Sequence, residues 1–92
     1  MIKLAAMHTL RRVVELGSFT AAAQDLGLSK SAVSKHIAQL ERDLKSPLLV
    51  RSTRSLRVTD AGLLYLGVCV SVLDAINDAE AELSQHGPRR VA

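Results

Sequence analysis

The stretch Ser18-Phe19-Thr20-Ala21-Ala22-Ala23-Gln24-Asp25-Leu26-Gly27-Leu28-Ser29-Lys30-Ser31-Ala32-Val33-Ser34-Lys35-His36-Ile37 decides the fold. Phe19, Ala22, Ala23 and Leu26 stand at i, i+3, i+4 and i+7, the apolar stripe of a short helix, with Ser18 as its N-cap. Gly27 suits the left-handed residue that closes a helix, and Leu28 is the apolar partner just beyond it. Ser29 can cap a second helix. Along that helix Val33, Ile37, Leu40 and Leu44 recur at 4, 3, 4 spacing, within about 60° of arc at 100° per residue. The stretch therefore predicts two helices joined by the tight turn Gly27–Ser29.

Upstream, Leu4, Met7, Leu10 and Val14 mark an amphipathic helix that runs to about Leu16 and stops at Gly17. Downstream, Pro47 ends the longer helix near Lys45 or Ser46, because the residue before a proline disfavours helical geometry. Two β-compatible runs follow, Leu48–Arg51 and Leu56–Val58. They predict a small hairpin whose polar tip, Ser52-Thr53-Arg54-Ser55, lacks the glycine signal of a tight loop. Thr59 then caps a last helix with Asp60 in its first turn, where the helix dipole favours an acid. It runs to about Gln85, before His86-Gly87-Pro88, and would be about 39 Å long. The fold class is mainly α: three helices and a short hairpin wing, followed by a long helix.

Composition agrees with one small globular domain. The chain has 92 residues, 48% of them hydrophobic and 23% charged, and a chain of this size buries about 60% of its unfolded surface. One Phe, one Tyr and no Trp argue against nucleic-acid binding by aromatic stacking. The single Cys69 excludes an internal disulfide and fits a reducing compartment. No signal peptide fits the N-terminus, where His8, Arg11 and Arg12 interrupt the apolar residues. The longest uncharged run, Ala61 to Leu73, falls short of the roughly 20 residues that span a bilayer. A cytoplasmic protein without a membrane partner is expected.

The formal charge of +3 is unevenly placed. Residues 30–57 carry seven basic groups (Lys30, Lys35, Arg42, Lys45, Arg51, Arg54, Arg57) against Glu41 and Asp43, whereas residues 58–92 are net acidic. A basic middle suits a polyanion, although a solvated charged face gives the same pattern. Helix spacing adds weight. Opposite the apolar stripe of the longer helix lie Ser31, Lys35, Ala38 and Arg42, with Ser34 on the flank and Lys30 at the tip. Small residues allow close approach to a major groove, and lysines reach base edges or phosphates. A generic helical bundle stays open on spacing alone.

The residues also carry a resemblance. Gly17 to Ala23 with Leu26, Ser29 to Ile37, Leu40-Glu41, Leu48 to Arg54 and Leu56 to Gly62 strongly resemble the N-terminal domain of LysR-type transcriptional regulators, over about residues 4–86. The resemblance implies a winged helix-turn-helix in residues 1–58, with the helix-turn-helix at about 18–37 and the wing at about 47–58. A linker helix in 59–86 would join two subunits, and 87–92 would open a hinge to an effector domain. It implies sequence-specific binding of double-stranded DNA by a dimer on a palindromic operator, and a tetramer for a longer protein. Residues matching Lys30, Ser31, Ser34 and Lys35 face the major groove. Arg54 lies in the wing near the minor groove, and Ser18, Arg51 and Thr53 belong with the wing and backbone contacts. Departures are visible: the family often has Gln-Pro where this chain has Lys30-Ser31, Arg at Lys35, and glycine at Lys45. The absent effector domain is read as excision rather than a naturally short protein.

Other constellations are bland. His8, His36 and His86 are too scattered to hold a metal, and no cofactor, catalytic triad or phosphate loop is recognisable. No enzyme is expected. His36 reads as a flank residue, with a phosphate contact as the alternative, and Cys69 as a small buried hydrophobe. The charge-free start of the last helix needs covering on several sides, which predicts a homodimer with Leu66, Val70, Leu73 and Ile76 among its contacts. A helical protein–protein assembly module with an incidental basic strip is the competing reading. A winged helix like that of the molybdate-responsive regulators is another, although Arg51 to Arg54 and Thr59 to Gly62 favour the LysR type.

Overall fold

The computed structural model describes residues 2–52 and 54–86. Thr53 and the expected hinge at 87–92 lie outside the described residues. The order is α1 (Ile2–Leu16), α2 (Phe19–Leu26), α3 (Lys30–Leu44), β1 (Leu49–Arg51), β2 (Leu56–Val58) and α4 (Asp60–His86). The chain is a winged helix-turn-helix with a long C-terminal helix.

Each helix boundary has a local cause. Ser18 and Ser29 cap α2 and α3, their hydroxyl oxygens accepting from the Ala21 and Ala32 N–H groups at 3.1 Å each. Gly27 closes α2 in the left-handed conformation, and the Leu28 N–H reaches the Ala23 carbonyl at 2.9 Å. After α3 the same geometry falls to Lys45, with φ 54°. Its N–H and that of Ser46 satisfy the carbonyls of Arg42 and Glu41. The turn keeps the form a glycine would give it, at the cost of holding a lysine in a region L-residues disfavour.

The core is built where α1, α2 and α3 meet. Leu10, Val13, Ala22, Val33 and Leu40 are fully buried, Phe19 and Ile37 nearly so, and Cys69 brings α4 into the same cluster. Ala22 and Ala23 let the helices approach closely. Thr9 is the one buried polar residue among those described. Its hydroxyl donates to the Ala5 carbonyl at 3.0 Å and meets His36 Nδ1 at 2.7 Å.

The strands pair antiparallel, Leu49 opposite Val58 and Arg51 opposite Leu56. The sequence predicts the first strand from Leu48, but it begins at Leu49. Leu48 stands opposite Thr59 and its carbonyl still accepts from the Thr59 N–H, but its own N–H is diverted to the Glu41 carboxylate, so the ladder starts one residue later. Serines supply the turn that glycine does not: Ser52 Oγ accepts from the Arg54 and Ser55 N–H groups.

Thr59 caps α4 by accepting from the Gly62 N–H at 2.9 Å. Gly62 is required by space, since a Cβ there would fall on the Leu48 carbonyl oxygen. Helix α4 leans on α1, where Arg11 pairs with Asp74 at 2.9 Å. Its best 18-residue window has a mean hydropathy of 1.4, apolar and long enough by composition to cross a membrane. Cys69 and Leu73 pack the middle of that helix onto the helical body, with the Asp74 pair beside them.

Candidate nucleic-acid interface

The helix-turn-helix presents α3 with its apolar stripe inward, so the opposite face is fixed by the 100° step. Ser31, Lys35, Ala38 and Arg42 are exposed there, Lys30 is exposed at the helix tip, and Ser34 is half-buried at the edge facing the wing. These include the four residues expected at the major groove. The Ser31 hydroxyl also meets the Ser29 hydroxyl at 3.2 Å, which ties it to the helix cap.

A polar cleft between the start of α2, the tip of α3 and the wing brings Ser18, Lys30, Arg51 and Arg54 together, with Thr20, Ser52 and Ser55. Ser18 spends its acceptor on the Ala21 N–H, which leaves its O–H free to donate to an anion. Arg51 is aimed by stacking: its guanidinium lies 3.9 Å from the centroid of the Phe19 ring. A second groove, between α3 and β1, is lined by Phe19, Ser34, Ala38, Glu41, Leu49 and Arg51.

Two populations of cations are distinguishable. Arg11 and Arg12 are consumed by structure, pairing with Glu15, Asp74 and Asp25 at 2.7–3.2 Å. Arg12 holds the Glu15 and Asp25 carboxyls below their ordinary range by direct hydrogen bonds. Lys30, Lys35, Arg42, Arg51, Arg54 and Arg57 enter none of the ion pairs among the described residues. The positive charge of α3 and the wing is therefore not neutralised among the described residues.

The expected site residues thus fall into one surface, apart from Thr53, which lies outside the described residues. His36 is half-buried beside it, but its Nδ1 is engaged by Thr9. It ties α3 to α1, as a flank residue can, and sequence periodicity carries no signal for that bond. Cys69 is fully buried, and burial pushes its thiol upward, away from thiolate reactivity.

The linker-helix residues behave less uniformly. Leu66, Val70, Leu73 and Ile76 are half-buried within the single chain, and Leu73 packs on the core. Leu63 at 58% and Leu64 at 78% are open near the start of α4, and Leu83 at 71% is open near its far end. Sequence spacing finds an apolar helix but does not say which side its own domain covers.

A family model described as the bacterial regulatory helix-turn-helix protein, lysR family, matches residues 4–63. The HTH-type transcriptional activator AaeR of Escherichia coli is 42% identical over 83 residues, which are 90% of this chain and 27% of that protein. An HTH-type transcriptional repressor of Pseudomonas aeruginosa is 46% identical over 83 residues, 90% of this chain and 26% of that protein. The chain spans about a quarter of the length of these relatives. Among solved structures, the BenM DBD in its complex with catB site 1 DNA superposes with a TM-score of 0.83 at 27% identity, covering 89% of this chain and 92% of that one.

Proposed function

The chain belongs to the lysR family of bacterial regulatory helix-turn-helix proteins, and from that premise we propose that it binds double-stranded DNA sequence-specifically, as a dimer on a palindromic operator. The observation that carries this reading is the set of unpaired cations on α3 and the wing, beside a helix-turn-helix whose other arginines are neutralised. Residues 1–58 form the DNA-binding unit, 59–86 the linker helix, and 87–92 the opening of a hinge. The activity is that of a transcriptional regulator at work on cytoplasmic DNA, not an enzyme or a membrane protein.

Lys30, Ser31, Ser34 and Lys35 enter the major groove, where a helix fits and base edges differ. Arg54 reaches the minor groove from the wing and responds to its width and potential. Ser18, Arg51 and Thr53 hold phosphates, which sets register without reading sequence.

A second copy covers α4 on more than one side, against Leu63, Leu64 and Val68, which the chain's own core leaves open, and against the half-buried Leu66, Val70, Leu73 and Ile76. Exposure of three large aliphatic residues in six positions supports this. Two-fold symmetry then places two recognition helices on inverted half-sites. Selection of bound duplexes from a random pool tests both parts. An enriched inverted repeat is expected, with a dimer in sedimentation at micromolar concentration. A pool that never enriches contradicts the reading of sequence, and a monomer contradicts the pairing.

A further inference from the structure

We propose that Glu41 is a positioning residue for the wing: from the recognition helix its carboxylate seats the start of β1 and so fixes where Arg54 meets DNA. This rests on the DNA-binding reading above. Glu41 Oε2 accepts from the Leu48 N–H at 2.7 Å and from the Leu49 N–H at 3.2 Å. Two donors on one carboxylate oxygen form a directional, charge-assisted seat. Leu49 is also the first residue of the ladder that carries the hairpin tip, paired with Val58. The recognition helix therefore grips the wing at its root.

The other side of the same segment belongs to the linker helix. The Leu48 carbonyl accepts from the Thr59 N–H at 3.0 Å, and Thr59 Oγ1 donates to the Pro47 carbonyl at 2.6 Å. Gly62 closes against the Leu48 carbonyl with no room for a side chain. Among these bonds only those of Glu41 come from α3. Without them the start of β1 keeps its bonds to α4 and the burial of Leu48 and Leu49, but loses its polar registration to α3.

Charge makes the role testable. Glu41 enters no ion pair among the described residues, and it lines the groove that Ser34, Ala38 and Arg51 share beside the DNA-facing surface. A free carboxylate there repels a polyanion, so removing it should tighten binding if charge were its whole effect. A positioning role demands the reverse.

The experiment is a double-mutant cycle on the 92-residue chain, read by fluorescence anisotropy on a labelled duplex recovered from the random pool. Arg54→Ala is expected to weaken binding about tenfold in the wild-type background and less than about twofold in Glu41→Ala, because a displaced wing no longer delivers the arginine. Glu41→Gln keeps a carbonyl acceptor for both N–H groups and should retain most of the Arg54 factor. If Glu41→Ala does not fold, Glu41→Asp, whose carboxylate stops one methylene short, carries the same cycle. An Arg54 factor equal in both backgrounds overturns the proposal, as does tighter binding by Glu41→Ala. A wild-type chain that binds no duplex at low salt overturns the DNA-binding reading itself, whereas a binding wild type with an unchanged Arg54 factor overturns only the role of Glu41.

Discussion

The guanidinium of Arg51 lies over the ring of Phe19, 3.9 Å from its centroid, and joins the hydrophobic core to the charged surface in one contact. Phe19 is nearly buried beneath it. Truncating a buried Phe costs about 3–5 kcal/mol, a large share of a small domain's stability. Phe19→Ala should be unfolded or nearly so in a thermal melt. Phe19→Leu keeps an apolar side chain but removes the π face, so it should fold, and Arg51 should lose its aim. Duplex affinity falling several-fold without loss of folding is the expected signature; unchanged affinity would mean that the stack does not orient Arg51.

Reading and holding should separate between Lys35 and Arg54. Lys35 is exposed opposite the core stripe of α3, whereas at the wing tip the Arg54 N–H donates to Ser52 Oγ. Lys35→Ala should change the preferred half-site base and cost about 1–3 kcal/mol on the best site, with less effect on scrambled DNA. Arg54→Ala should weaken both duplexes more evenly and flatten the salt dependence. Titrating both variants on selected and scrambled duplexes decides it. Equal losses for Lys35→Ala, with preference erased by Arg54→Ala, would reverse the roles.

Lys45 occupies the left-handed closing position of α3 with φ 54°. Glycine removes the Cβ penalty there but gains entropy in the unfolded chain. The balance should favour Lys45→Gly by about 0.5–1 kcal/mol, raising Tm by several degrees. A lower Tm would show that the lysine side chain offsets its own strain.

Acid should loosen the joint between α1 and α2. Arg12 bonds Glu15 at 2.7 Å and Asp25 at 2.8 Å, which holds both carboxyls below their ordinary values of 4.5 and 3.8. Their stabilisation is present above those values and is lost as pH falls through the lower folded ones. The groups are exposed and screened, so the effect should be small and should shrink in about 0.5 M salt. Arg12→Met should flatten the decline of Tm between about pH 5 and pH 3. Parallel curves for the two chains would contradict this.

Most of the fold was legible because each boundary has a local chemical sign. Ser18, Gly27, Ser29 and Thr59 announce caps and stops, and the stripes through Phe19 and Val33 announce which faces are buried. The exposed side of α3, with Ser31, Lys35, Ala38 and Arg42, follows from the same 100° step. What escaped depends on contacts distant in sequence. Glu41 reads as one more surface acid until Leu48 and Leu49 arrive seven and eight residues later. Gly62 stands in the sequence as part of the Thr59–Gly62 stretch, but only the Leu48 carbonyl beneath it gives the reason for a glycine there. The side of α4 left open depends on how α1 covers it, which periodicity alone does not encode. The openness of Leu63 and Leu64 is therefore a structural finding.

Affinity for duplex DNA across a salt series tests the central claim most directly. Lys30, Lys35, Arg51, Arg54 and Arg57 give five candidate cations per subunit. If a dimer placed all of them on phosphates, log K against log salt would fall with a slope of about −9, and contacts to bases make the real slope shallower. A steep negative slope, short of that limit, is the predicted result. Binding that is absent at low salt, or that does not change with salt, would contradict the account.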